Sequence, residues 1–429
     1  MRAILNSPLT RERFRQQPQH FSRHRLLTFA CVTVLILRGH KLALQNALNK
    51  LFSALADLFH VPSASAYCQA RQKLKPELFA YLNEQVCEDF YELAFPEGEV
   101  RLWRSHRLLA CDGTYLTLPD NADTRARFTL QTNQIDGADC VQALSCVLYD
   151  LLNDLGLRAA IGKRQGEKKL LFADLWSATK PGDVLVLDRH YADYAVMAYA
   201  KASNREIIVR LPTRRFAAAR EFWLSQAAEQ IIEVSCPVSA RAFVAQAGLA
   251  TKLRLRLIRV ALDNGSTEVL LTSLLDSESY PAAEFKQVYG WRWLEETYFD
   301  RLKNIYEVER FSGQTVIAIE QDFYGILFLA SLESVLSKSD EEALRAESKK
   351  RQTKTEPKVN HGVSYVALVE RVVELLVSKR GVEEVLEELH HLFRKNPTRA
   401  RPGRSYERKK QMRYSYRLRF HKYVKKLLA

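Results

Sequence analysis

The sequence predicts a mixed α/β protein in which one sheet is flanked by helices, and three observations lead there. Short apolar runs such as Val184-Leu185-Val186-Leu187 read as strands buried on both faces. Over residues 107–212 the order is β-β-β-α-β-α-β, antiparallel hairpins first and crossovers after, which builds a mixed sheet with helices on its faces. The 429 residues, 47% of them hydrophobic, supply enough chain for two or three domains with real cores. Disorder throughout, a collagen and a disulfide miniprotein are thereby excluded.

Residues 1–95 read as a helical N-terminal domain. Apolar-periodic segments cover 26–37, 42–59 and 74–90, and Ser63 and Ser65 stand ahead of a short helix at 66–71 as N-caps. Arg11, Arg13, Arg15, Arg23 and Arg25 make a DNA-binding unit one reading, and a plain helical cap is the other. The run 26–37 falls short of the roughly 20 residues that span a bilayer. With basic flanks and no small-residue cleavage site after it, it reads as a buried helix of a soluble, cytoplasmic protein without a membrane partner.

Residues 105–215 and 279–336 form the α/β core. Residues 108–112 are a strand ending in a turn at Gly113, and 140–150 and 155–161 are two strands joined at Asn153-Asp154. Residues 167–179 are helical up to the breaker Pro181-Gly182-Asp183. The strand 184–187, a helix at 194–202 and a strand at 206–211 come next. Residues 216–278 are a β-rich insertion, with strands at 231–235, 253–262 and 268–274 and an Asn264-Gly265 hairpin signal. A helix at 282–306 returns to the core, 337–360 is a charged linker, and amphipathic helices at 364–378 and 382–393 suit pairing with a second subunit. They open the C-terminal region 361–429.

The net charge is +14, and its location says more than its size. Residues 394–429 hold fourteen basic residues against Glu407 alone, so a net +13 sits in the tail and the rest is almost neutral. Such a segment asks for a polyanion. Tyr406, Tyr414, Tyr416, Phe420 and Tyr423 interleave the arginines and favour DNA, with Arg408, Lys409, Lys410 and Arg413 as phosphate contacts. Seven scattered cysteines without a C-x-x-C indicate reduced, inert thiols. Gly162-Lys163-Arg164-Gln165-Gly166 lacks P-loop spacing, and His390-His391 on a Glu-rich helix reads as surface.

Chemistry concentrates in three carboxylates. On the helix from residue 282, at about 100° per residue, Arg292, Glu296 and Lys303 fall within roughly 60° of Tyr289. Trp291, Leu294, Tyr298, Leu302 and Ile305 lie opposite, so one face packs and the other presents a carboxylate among cations. Asp112 and Asp188 each follow an apolar strand, where ligands of α/β sheets collect. If those strands are neighbours, the two carboxylates repel unless a cation joins them. Asp112, Asp188 and Glu296 then suit one or two Mg²⁺ ions.

The string Tyr289-x-x-Arg292-x-x-x-Glu296-x-x-x-x-x-x-Lys303 resembles the Tyr-Arg-Glu-Lys signature of DDE transposases of insertion-sequence family four. Residues 109–119, around Asp112, resemble that family's first-aspartate region, and Gly182-Asp183-Val184-Leu185-Val186-Leu187-Asp188-Arg189-His190-Tyr191 its second. The β-rich insertion and the segment 65–74 also have counterparts in the family, whereas His190 stands where glycine is common. The resemblance implies an RNase H-like core with Asp112, Asp188 and Glu296 as catalytic ligands of Mg²⁺, for which Mn²⁺ substitutes. It implies that Tyr289, Arg292 and Lys303 grip DNA phosphates, and that a homodimer in a synaptic complex brings transposon ends and target DNA together at the nucleoid. The activity implied is cleavage at terminal inverted repeats and strand transfer. A nuclease on the same core without strand transfer, and a catalytically silent DNA-binding regulator, are the rival readings. A glycosidase reading of the carboxylates fails because the cations around Glu296 suit phosphate better than sugar.

Overall fold

The computed structural model describes residues 1–23, 25–39, 43–54, 60–131, 139–164, 166–212, 217–262, 265–352 and 355–399. The tail residues Arg408, Lys409, Lys410 and Arg413, and Asn264 of the hairpin signal, lie outside them.

One mixed sheet organises the described chain. Its strands are β1 Leu108–Leu118, β2 Thr129–Gln131, β3 Cys140–Asp150, β4 Leu155–Gly162, β5 Val184–Leu187, β6 Glu206–Arg210, β7 Glu229–Ser235, β8 Lys252–Ala261 and β9 Thr267–Thr272. Their order is β2-β3-β1-β5-β6-β9-β8-β7, with β4 also paired to β3. β3 runs antiparallel to β1 and β4, while β1, β5 and β6 run parallel. Three antiparallel strands continued by two parallel ones form the RNase H-like mixed sheet that the resemblance implied. β5 is apolar at all four positions and buried on both faces, Val184 and Val186 in one core and Leu185 and Leu187 in the other.

β7, β8 and β9, the strands of the expected β-rich insertion, add to the same sheet through antiparallel pairing of β9 with β6. Helices Ala217–Leu224 and Arg241–Gln246 accompany them, which the strand-like texture of this stretch concealed. β1 is also longer than the expected run 108–112. It passes through Gly113 without turning, because β3 pairs with it out to Leu118.

On one face of the sheet the N-terminal helices Phe29–Arg38, Ala64–Arg71 and Glu77–Ala94 share a core with the helix Val316–Lys350. Ser63 caps the second of these through the Ala66 N–H. The Arg71 guanidinium is buried and donates to Gln321 Oε1 at 2.7 Å, Asp322 Oδ1 at 2.7 Å, Ser312 Oγ at 2.6 Å and the Ala318 carbonyl at 2.8 Å. The expected linker 337–360 is helical as far as Lys350, since Ser337, Asp340 and Leu344 are buried along the long helix. Asp340 lies 2.7 Å from His390 Nδ1 and accepts from the Arg394 guanidinium, so His390 is a half-buried hydrogen-bond partner of the long helix.

Helices His361–Leu376 and Val382–Lys395 fold back on the long helix and bury Leu368, Val372, Val373, Val385, Leu389 and Phe393 within this chain. Most of their apolar residues are thus buried within this chain, while Val366 stays exposed. Arg2 seals the arrangement by donating to the carbonyls of Leu375 at 2.7 Å, Glu374 at 2.6 Å and Arg380 at 2.9 Å. Among the described residues no helix is long and apolar enough to cross a membrane.

Candidate active site at the carboxyl end of the parallel pair

The register of β1 with β5 aligns the two aspartates. Leu109 pairs with Leu185, and Asp112 and Asp188 each come three residues later along parallel chains. Alternation along β1 sets Asp112 on the face of Leu108 and Ala110, opposite Leu109 and Cys111. Asp112 is half-buried and its Oδ1 accepts the Gly113 N–H at 2.8 Å. Burial raises its carboxyl above the ordinary range; Gly113 and Arg292 oppose the rise, while Asp188 and Glu296 add to it. Asp188 caps the turn Arg189–Tyr191, accepting His190 N–H at 2.8 Å and standing 3.0 Å from His190 Nδ1.

Glu296 reaches the same field from the other side. The expected straight helix 282–306 is a sequence of turns: Ala282–Glu284, the α-helix Phe285–Trp291, a tightened step at Arg292, the α-helix Trp293–Asp300, and a wide π-helical turn Arg301–Ile305. At the step the Arg292 N–H bonds the Tyr289 carbonyl and the Glu295 N–H bonds the Arg292 carbonyl, three residues apart instead of four. Each departure from 100° per residue rotates every later side chain about the helix axis. Tyr298 and Leu302 pack as expected, but Leu294 and Ile305 are exposed and Glu295 is buried.

Arg292 is nearly buried, and its Nη2 donates to Glu296 Oε1 at 2.9 Å. Its guanidinium stands 5.8 Å from the Tyr289 ring centre and 5.4 Å from that of the exposed Trp293. Burial pushes the Tyr289 phenol up to about 12, so it is a donor at neutral pH. Lys303 lies in the π-helical turn and donates to the Tyr115 carbonyl of β1 at 3.0 Å. Asp112 thus shares one electrostatic field with Asp188, Arg292 and Glu296, while Lys303 is tied to β1 three residues further along. The basic residues Arg408, Lys409, Lys410 and Arg413 lie outside the described residues.

Two further carboxyls lie at this site, and neither stood out in the sequence pattern. Glu295 is 1% exposed, its Oε1 has no hydrogen-bond partner, and its carboxyl lies against the Asp112 main chain. Burial first and Asp112 second push it well above the usual carboxylate range. On the helical wheel it falls near 240°, beside Trp291 and Leu302, and that position was the available signal. Glu167, half-buried, opens the helix after β4 and lies against Gly113; burial, then Asp112, then Asp188 raise its carboxyl.

The donors are hard oxygens of the kind Mg²⁺ and Mn²⁺ take, and the raised carboxyls and the orphaned oxygen of Glu295 fit a site made for a cation. Among the described residues, no three His, Cys, Asp or Glu side chains are close enough to enclose a metal. Asp112, Asp188 and Glu296 are each turned to a local donor, and coordination requires that they exchange it.

Residues 103–332 match the family model described as "Transposase DDE domain". The chain is 23% identical over 291 residues to the transposase InsG for insertion sequence element IS4 of Escherichia coli strain K12, a match covering 67% of this chain and 64% of that protein. It therefore spans less than two thirds of the length of that relative. Among solved structures, a piggyBac transposase synaptic complex with hairpin DNA aligns with a TM-score of 0.40 and 10% identity, covering 89% of this chain and 78% of that one.

Proposed function

The chain belongs to the transposase DDE domain family, and from that premise we propose that it binds the terminal inverted repeats of an insertion sequence, cleaves DNA there and transfers the strand to a target. The observation that supports this most is the parallel register of β1 and β5 with the Glu296 helix beside it. It gathers three acids and a buried arginine in one field.

In this reading Asp112, Asp188 and Glu296 hold Mg²⁺, or Mn²⁺ in its stead. A bound divalent cation supplies Lewis-acid polarisation of the scissile phosphodiester and makes water or a 3′-hydroxyl a better nucleophile. The chain's own side chains do the positioning. Arg292 stands against the Tyr289 and Trp293 rings, so it meets a phosphate already oriented when Glu296 exchanges it for the metal, with a fork suited to two oxygens. The Tyr289 phenol donates one hydrogen bond, and Lys303 offers a point charge held near β1. The basic tail adds sequence-independent phosphate contacts, so binding weakens steeply as salt rises. End joining calls for two protomers, and the double-stranded DNA of the nucleoid is the partner.

The test uses a labelled duplex carrying the repeats that flank this gene, with wild type and Glu296→Gln, each with and without Mg²⁺. Metal-dependent nicking at the repeat boundary by wild type alone upholds the reading, and joined products separate a transposase from a nuclease. Tight binding without a cut by either protein, in Mg²⁺ or Mn²⁺, refutes it in favour of a silent regulator.

A further inference from the structure

β1 and β4 are both antiparallel to β3, so they run the same way, and the carboxyl end of β4 lies at the sheet edge where Asp112 and Asp188 stand. Five residues beyond Gly162, the chain brings Glu167 back against β1. A Cβ built on Gly113 would lie 2.7 Å from Glu167 Cγ, 2.8 Å from its Oε1 and 2.9 Å from its Cδ. The Glu167 side chain thus fills the space that any residue other than glycine would need beside Asp112. There it feels the charges of Asp112 and Asp188 and lies near His190 and Tyr191.

A second observation is independent of Glu167. Glu295, on the helix that carries Glu296, lies against the Asp112 main chain and keeps a buried oxygen without a partner. A buried acceptor left unpaired costs free energy, and five acids gathered around one strand segment repel one another. Both conditions are relieved by a cation drawn into their midst.

We propose that Glu167 is a fourth carboxylate of the divalent-cation site, admitted to it by the absent side chain of Gly113. The inference rests on the metal-binding reading of Asp112, Asp188 and Glu296, and adds a ligand that the family signature does not contain. Its oxygens would share the load of a cation between β1 and β5, from the face of the sheet opposite the Glu296 helix.

The test titrates the full chain with Mn²⁺ and reads free Mn²⁺ by electron paramagnetic resonance, with no DNA present. Asp112→Asn and Glu167→Gln should each weaken Mn²⁺ binding by about 10-fold or more. Gly113→Ala should do the same, because its methyl displaces the Glu167 carboxylate without removing it. The double variant Gly113→Ala/Glu167→Gln should then be no weaker than Glu167→Gln alone, the non-additivity expected of two changes acting on one group. Glu167→Asp should recover part of the affinity, which a folding defect would not allow. Wild-type Mn²⁺ affinity in Glu167→Gln, with Asp112→Asn weakened, overturns the proposal and spares the three-carboxylate site. Unchanged affinity in Asp112→Asn as well overturns both.

Discussion

Replacing Gly156 by alanine tests how tightly the helix Trp293–Asp300 is held against the sheet. The new Cβ would lie 2.6 Å from Tyr298 Oη, 2.8 Å from Leu327 Cδ1 and 3.3 Å from Tyr298 Cζ. Neither neighbour has room to retreat. Tyr298 is buried and stacks on Tyr149 with ring centres 4.6 Å apart, Leu327 is buried, and the Gly156 carbonyl is pinned by Asn83 Nδ2 at 2.8 Å. Overpacking of this kind costs about 1–3 kcal/mol. At roughly 2–4 °C per kcal/mol for a domain of 150–250 residues, the melting temperature should fall by about 2–12 °C. Tyr298 follows Glu296 by two residues, so cleavage should fall as well. Scanning calorimetry gives the first number, and Gly290→Ala is the control. Gly290 lies in the helix Phe285–Trp291 with nothing within 4 Å of its Cβ direction, and alanine there should stabilise by about 0.5–1 kcal/mol. Wild-type melting in Gly156→Ala, or an equal loss in Gly290→Ala, would refute the packing argument.

Asp154→Ala leaves the buried Arg301 guanidinium without the carboxylate that it grips with both Nη atoms, and should cost about 3–5 kcal/mol in denaturant unfolding at an unchanged m-value. Burial pushes the Asp154 carboxyl up, but Arg301 outweighs it and brings the group down to about 2. Its stabilisation is thus complete above the unfolded value of about 3.9 and is lost as pH falls toward about 2, a loss that Asp154→Asn should not show. His361 has the opposite sign. Burial lowers it, but the buried Glu333 carboxylate, 3.0 Å from Nδ1, more than compensates and raises it. Its contribution is complete below about pH 6.5 and disappears as pH rises through the elevated folded value. His361→Asn should flatten that slope in pH-dependent melts. Lys303→Ala should weaken DNA binding in a gel shift while leaving Mn²⁺ affinity as in wild type.

Much of this architecture was legible, for reasons that differ between elements. β5 was read correctly because four consecutive buried β-branched or leucyl residues between turns have few other uses, and β3 and β4 because their runs of 11 and eight residues flank a clear turn. Asp112, Asp188 and Glu296 were readable as candidates because each is a carboxylate at a strand end or among cations. What failed depends on contacts between distant segments. Gly113 reads as a turn until β3 is known to pair beyond it, and its true neighbour is Glu167, 54 residues away. The charged stretch after Ser337 reads as a linker because its partners, His390 and Arg394 for Asp340, come some 50 residues later. The step at Arg292 and the π-helical turn at Arg301 leave no mark on a regular wheel, and so Leu294 and Ile305 were assigned to the core and Glu295 was not.

The three hydrogen bonds from Arg2 to Glu374, Leu375 and Arg380 set a clock on the molecule. At synthesis rates of about 5–20 residues per second, the earliest residues wait roughly 20–75 seconds before their acceptors exist. Glu296 likewise can join Asp112 and Asp188 only after the residues of β7, β8 and β9 have been made. During translation the chain therefore holds its two aspartates long before it holds the third acid, and a product released anywhere short of residue 296 lacks it.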